Sequence, residues 1–199
     1  MRERIQRLQD KLKSVRTVEW DQLPDMDLYM DQVVTYIEGL MGVYSSDDSE
    51  ARNVTHNMVN NYVKEGYIRR PVNKKYARDQ VADLYLMLLL KQVLPIPVLA
   101  EGLKMMKTEE SLKEGFNRIL VLQDDSFKRM VERLEKGFTV HDGDGNSEAK
   151  LEPSSVVNFA LQLATEANVL RYTSERLLVA LASGRDADSV ISDPQGTRD

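Results

Sequence analysis

Residues 53–78 read Asn53-Val-Thr-His-Asn-Met-Val-Asn-Asn-Tyr-Val-Lys-Glu-Gly-Tyr-Ile-Arg-Arg-Pro-Val-Asn-Lys-Lys-Tyr-Ala-Arg78. Val54, Met58, Val59 and Tyr62 recur at helical spacing, which predicts a helix from about Asn53 to Glu65 with these side chains inward. Gly66 follows where a helix commonly needs a left-handed residue to end. The next stretch, Tyr67 to Tyr76, is short, basic and interrupted by Pro71. Proline supplies no amide to a helix, so a compact hairpin suits this stretch better.

Working outward, Asp27 can cap a helix from Leu28 to about Met41, with Met30, Val33, Val34, Ile37 and Leu40 inward. The polar run Ser45 to Glu50 reads as a loop that supplies a cap for the helix after it. Downstream, Asp79 can cap a further helix, and Val81 to Leu94 is apolar nearly all round, as expected of a helix at the centre of a core. Pro95-Ile-Pro97 stops it before a short helix from Val98 to Met106. Thr108, Glu110 and Ser111 open a longer helix to about Lys136, with Leu112, Phe116, Ile119, Leu120, Leu122, Phe127, Met130, Val131 and Leu134 as its buried set and Asp124-Asp125 as a candidate interruption. Phe138 to Leu151 carries turn signals between two β-capable pieces, a pattern for a small hairpin. A last helical region runs from Pro153 to about Ser183 with a candidate break at Thr173-Ser174. Residues 184–199 read as a disordered tail. At the other end, Ile5, Leu8, Leu12 and Val15 mark a short amphipathic helix over residues 2–16. It docks on its own domain, follows a nucleic-acid backbone or pairs with a partner helix.

The chain has 199 residues, 42% hydrophobic and 30% charged, which is normal for a water-soluble globular protein. No apolar run is long enough to span a bilayer. The N-terminus lacks the apolar region of a signal peptide, so no membrane partner and a cytoplasmic location are expected. The absence of cysteine removes disulfides, thiolate metal sites and thiol catalysis together. The formal charge is −5, yet Arg52 to Arg78 holds seven basic residues and one acidic, leaving +6 there and −11 elsewhere. A polyanion meets the local field, so this basic island matters more than the total.

Chemistry-bearing motifs are scarce. Asp142-Gly-Asp-Gly-Asn146 suggests a calcium loop, but the sixth position is Ser147 and the twelfth Pro153 where glycine and glutamate are wanted, so a turn is expected. His56 and His141 sit in no metal-binding frame, and no phosphate loop, dinucleotide loop or nucleophile elbow occurs. No enzyme activity, cofactor or metal is expected. Thr55, His56, Asn57, Asn60, Asn61 and Lys64 are short polar or basic groups of the kind that reach base edges from a helix in the major groove. Arg69, Arg70, Lys74, Lys75 and Arg78 are the kind that neutralise phosphates. By composition alone, a solvated charged loop beside an Asn-rich helix remains open.

The spacing T-x-x-M-x-x-x-Y-x-x-x-G-Y-I-x-x-P from Thr55 to Pro71, then Lys74-Lys-Tyr76-x-Arg78, resembles the recognition helix and wing of mercury-resistance-regulator (MerR) type proteins. Leu84, Leu88, Leu90 and Lys91 to Leu94, with Pro95 to Leu103 behind, resemble the helices that complete such a domain. Leu23 to Val33, the Asn60-Asn-Tyr62 triplet and the Lys74-Lys-Tyr76 wing end are similar to an uncharacterised bacterial domain-of-unknown-function family carrying this helix-turn-helix. The similarity covers roughly residues 20–125. Asn60 stands where the regulators usually place a phosphate-contacting arginine, and the 42–52 loop is longer than their tight turn.

The resemblance implies a mainly α fold: an N-terminal amphipathic helix or arm (1–22), a MerR-like winged helix-turn-helix of three to four helices with a short wing (23–107), a C-terminal helical region (108–183) and the tail. It implies a transcriptional regulator that binds double-stranded DNA as a homodimer, with helix 53–65 in the major groove, the 67–78 wing including Tyr76 on phosphates, and a small-molecule effector left unidentified. The alternative is a non-enzymatic protein–protein interaction module that keeps the helix-turn-helix fold.

Overall fold

Ten consecutive residues of one helix, Gln80 to Leu89, are buried, and the fold is organised around them. A computed structural model describes residues 1–42, 54–136 and 152–183. The described chain is mainly helical: α1 Arg2–Ser14, a 3-10 turn Trp20–Gln22, β1 Leu28–Tyr29, α2 Met30–Met41, α3 His56–Lys64, β2 Lys75–Tyr76, α4 Arg78–Leu90, α5 Ile96–Glu109, α6 Leu112–Glu135 and α7 Pro153–Ala182. The described elements fall into two compact units, one drawn from residues 18–119 and 174–183 and the other from residues 1–17, 120–136 and 152–173.

In the first unit α4 packs against α2 and α5, and α3 packs against α2. An all-round apolar helix can be stable only where neighbours cover every side. The two strands form one antiparallel ribbon, Leu28 opposite Tyr76 and Tyr29 opposite Lys75. Phe116 closes the core, edge-on to Trp20 at 5.7 Å and tilted against Tyr85 at 6.1 Å between ring centroids. The Trp20 amide donates to Asn117 Oδ1 at 2.9 Å, which fixes the entry segment.

Several expected boundaries are corrected, and the ribbon explains two of them. Because Leu28 and Tyr29 are extended in β1, α2 begins at Met30; Asp27 does not cap it, and Gln32 Oε1 accepts the Tyr29 amide at 2.9 Å. In the same way β2 holds residues 75–76 extended. Gln80 Oε1 then accepts the Ala77 amide at 2.9 Å, in place of a cap from Asp79. Helix α4 ends at Leu90 in a turn, short of Leu94, and α5 runs on through Thr108 to Glu109. The cap of α6 is therefore Ser111, whose hydroxyl and amide engage Glu114 Oε2 at 2.8 and 3.0 Å while the Glu114 amide donates back at 3.2 Å.

The second unit is built from α1, the part of α6 after Leu120 and the part of α7 up to Thr173. Lys13 Nζ reaches Glu135 Oε1 at 2.6 Å, and Arg133 grips both oxygens of Glu166 at 2.7 and 3.0 Å while lying over the Phe159 ring. Its buried apolar side chains are Val15, Leu120, Val131 and Leu134, whereas Leu8, Val121, Leu122, Val157, Leu161, Val169, Leu170 and Tyr172 are exposed. Leu122 thus leaves the expected buried set. Neither candidate interruption exists: α6 passes through Asp124-Asp125 and α7 through Thr173-Ser174 unbroken. The Ser45–Glu50 loop, the 138–151 hairpin with Asp142 to Asn146 and His141, and the 184–199 tail lie outside the described residues. No described helix is long and apolar enough to cross a membrane.

Candidate nucleic-acid interface

Helix α3 starts where Thr55, in extended backbone, turns its hydroxyl to accept the Met58 amide at 3.2 Å. It ends at Gly66, whose φ of +76° is open to glycine and costly to other residues. Val59 and Tyr62 are buried, with Val54 just ahead of the helix. That burial leaves Asn57, Asn60, Asn61 and Lys64, at i, i+3, i+4 and i+7, along one exposed face.

The basic segment beyond Gly66 is pinned from several sides. Gln80 Nε2 donates to the Arg69 carbonyl at 2.9 Å, and the Tyr67 and Ile68 amides both donate to the Tyr62 carbonyl. Val72 and Lys75 exchange amide-to-carbonyl bonds at 3.0 and 2.9 Å around Asn73 and Lys74, whose φ angles are +49° and +63°. Positive φ at both central residues defines the two-residue hairpin turn whose twist matches its flanking strands. Lys74 is therefore held out at the tip by a left-handed backbone.

The sequence-selected residues divide by what they already touch. Asn57, Asn60, Asn61, Lys64, Arg70 and Lys74 are exposed, and the three cations among them make no ion pair with described residues. Lys75 lies 5.0 Å above the Tyr29 ring, a cation–π contact, and is half-buried as a residue. Arg69 pairs with Asp79 at 3.1 Å, and Arg78 Nε donates to the Pro24 carbonyl at 3.2 Å. His56 Nε2 meets Asp31 Oδ1 at 2.9 Å. Thr55 is engaged as the cap. Tyr76 is 3% exposed and belongs to the core, where burial raises its phenol above the ordinary range, so it cannot touch a partner's phosphate.

One buried charge escaped the sequence reading. Asp83, inside the apolar stretch of α4, is 4% exposed and lines a cavity of about 740 Å³ bordered by α4, α5 and the segment after Gly66. Lys107 Nζ lies 2.6 Å from its Oδ1, an oxygen with no hydrogen-bond partner among the described residues. Burial pushes the carboxyl up from its ordinary value, and the Lys107 ammonium opposes the shift. An aspartate inside the Val81–Leu94 run was the available signal. No cluster of three or more metal-ligating side chains occurs among the described residues.

A family model described as a domain of unknown function (DUF1836) matches residues 18–120, and its limits fall within a residue of the 18–119 part of the first unit. No curated protein and no solved structure matches the chain.

Proposed function

We propose that this chain, which belongs to the DUF1836 family, is a DNA-binding transcriptional regulator whose α3 lies in the major groove and whose 67–78 turn rests on phosphates. The reading takes residues 23–107 as a MerR-like winged helix-turn-helix, as the residues from Thr55 to Arg78 resemble. The observation that carries it is the pairing of an exposed polar face, Asn57, Asn60, Asn61 and Lys64, with the exposed cations Arg70 and Lys74 of the adjoining segment. Asparagine reads adenine edges through two hydrogen bonds, and exposed cations displace counterions from the backbone. Both groups stand on the basic stretch from Arg52 to Arg78.

Anisotropy of labelled random duplex DNA at several salt concentrations tests this. Affinity should fall with a log–log slope of about −0.9 per phosphate contacted. Changing Lys64, Arg70 and Lys74 together to alanine should flatten that slope by about 2–3 and weaken binding at every salt. Absence of binding by the folded native chain at low salt would refute the proposal.

A second reading, a non-enzymatic protein-interaction module on the same fold, draws on Asp31. Its side chain is 85% exposed beside His56, so a carboxylate stands where a groove-bound helix would meet the DNA backbone. A protein partner with its own cations would accept it.

A further inference from the structure

We infer that the cavity lined by Asp83 binds a free amino acid with an apolar side chain, whose ammonium meets the Asp83 carboxylate and whose carboxylate meets the Lys107 ammonium. The inference is independent of the DNA reading, because its test reads binding of the small molecule directly. The whole wall of the cavity comes from residues 66–112, within the first unit.

Size comes first. The volume of about 740 Å³ falls inside the range of small-molecule sites, about 300–1,000 Å³. The wall joins apolar groups, among them Met87 on α4, Leu103 on α5 and Leu112 at the start of α6, to a few charged ones, the combination that such sites use for affinity and orientation.

The second argument is the state of Asp83. Its Oδ1 is buried with no hydrogen-bond partner among the described residues, although Lys107 Nζ lies 2.6 Å away. Nearly all buried polar atoms in folded proteins find a partner, and one left over carries a desolvation cost that an incoming donor removes. As a means of holding α4 to α5 the pair is poor, since apolar side chains of similar volume usually do as well or better. A carboxylate can accept, and an ammonium donate, more hydrogen bonds than a single contact uses. Lys107 is about a third exposed and makes no other ion pair with described residues, so both members of the pair have capacity left for a ligand.

Charge then selects the ligand. Every charge on the wall already has its opposite: Asp83 with Lys107, Asp79 with Arg69 at 3.1 Å, Glu101 with Lys104 at 3.6 Å, and Glu110 with Arg118. A ligand with a net charge would enter a recess that offers no free counter-charge, which is costly. A wholly apolar ligand would leave the Asp83 oxygen unpaired. A zwitterion adds no net charge, and hydrogen bonds to charged groups are roughly twice as strong as those between neutral ones, which favours it over an alcohol or an amide. In an amino acid the two charged groups share one carbon, so they reach the adjacent carboxylate and ammonium of Asp83 and Lys107 together. Met87, one helical turn beyond Asp83 on the cavity side of α4, and Leu103 receive the side chain.

The test is titration calorimetry of the full chain with L-leucine, L-isoleucine, L-methionine and L-phenylalanine. At least one should bind with a dissociation constant below about 1 mM. The amine and the acid that keep its side chain and only one of its charges, for leucine 3-methylbutylamine and 4-methylpentanoate, should bind at least about ten-fold more weakly. Asp83→Asn and Lys107→Met should each weaken the amino acid by a similar factor, with helical circular dichroism retained. Failure of all these amino acids to bind more tightly than about 1 mM overturns the inference, as does an amine or acid that comes within about ten-fold of the amino acid. Undiminished binding by a folded variant overturns it as well, because the site then lies away from Asp83 and Lys107. Should one variant fail to fold, the other decides together with the comparison of amino acid, amine and acid on the native chain.

Discussion

His56 Nε2 lies 2.9 Å from Asp31 Oδ1, so the first residue of α3 is tied to α2 by the side chain most exposed of the two. The link also spends the imidazole on an acid. In a phosphate's field the Asp31 carboxylate is repelled, and at an exposed site that repulsion is modest and screened by salt.

Asp31→Asn should therefore tighten duplex DNA binding by about 2–10-fold at low salt, the gain shrinking as salt rises, while stability changes by no more than about 0.5 kcal/mol. Anisotropy with the native chain alongside checks it. Unchanged affinity would move the DNA path away from the start of α3 and favour the protein-interaction reading.

Lys74 sits at φ +63°, a conformation that costs a side-chain-bearing residue roughly 1 kcal/mol relative to glycine. Lys74→Gly should raise the urea unfolding midpoint by about 0.5–1 kcal/mol equivalent. At the same time the DNA salt slope should become shallower by about 0.9. A stabilised variant with undiminished DNA binding would show that the lysine is not a phosphate contact.

How much of this was legible in the sequence differs by level. Gly66, the inward set around Val59 and Tyr62, and a hairpin within Tyr67 to Tyr76 were readable because glycine geometry, helical period and turn chemistry act within a few residues, whereas the placing of its turn at Asn73-Lys74 was not. Helix starts were misread at Asp27 and Asp79. Aspartate ranks high as a cap, yet β1 kept the chain extended past Asp27 as far as Tyr29, while α4 begins at Arg78, ahead of Asp79, and Gln32 and Gln80 accept the Tyr29 and Ala77 amides. Of the candidate site, the exposed asparagine face was legible from the burial of its opposite side. Which polar groups were already engaged was not, since the partners of His56, Arg69 and Arg78 are Asp31, Asp79 and the Pro24 carbonyl, distances of 10 to 54 positions along the chain. The burial of Tyr76 followed from the same ribbon.

Leu86 is fully buried in α4, inside the unit that matches the family model. Leu86→Ala should cost about 2–5 kcal/mol by transfer and cavity terms, read from urea unfolding followed by the Trp20 fluorescence. Because Trp20 belongs to the same unit, a loss below about 1 kcal/mol would mean the site relaxes around the missing atoms, contrary to a close-packed α4.

Asp83 provides a pH test with a definite sign. Its carboxyl is raised from the ordinary 3.8 chiefly by burial, with Lys107 pulling it back. A group whose folded value lies above its unfolded one contributes stability that is fully present below the unfolded value, and loses it as pH rises through the folded value. The difference in unfolding free energy between the native chain and Asp83→Asn, which cannot ionise, should thus fall as pH increases from about 3.8 and level off once the folded carboxyl is charged. Adding Lys107→Met to the native chain should extend the fall to higher pH, because the opposing ammonium is gone. A difference that rises with pH would mean that the Lys107 pairing outweighs burial, and a flat one that the two cancel.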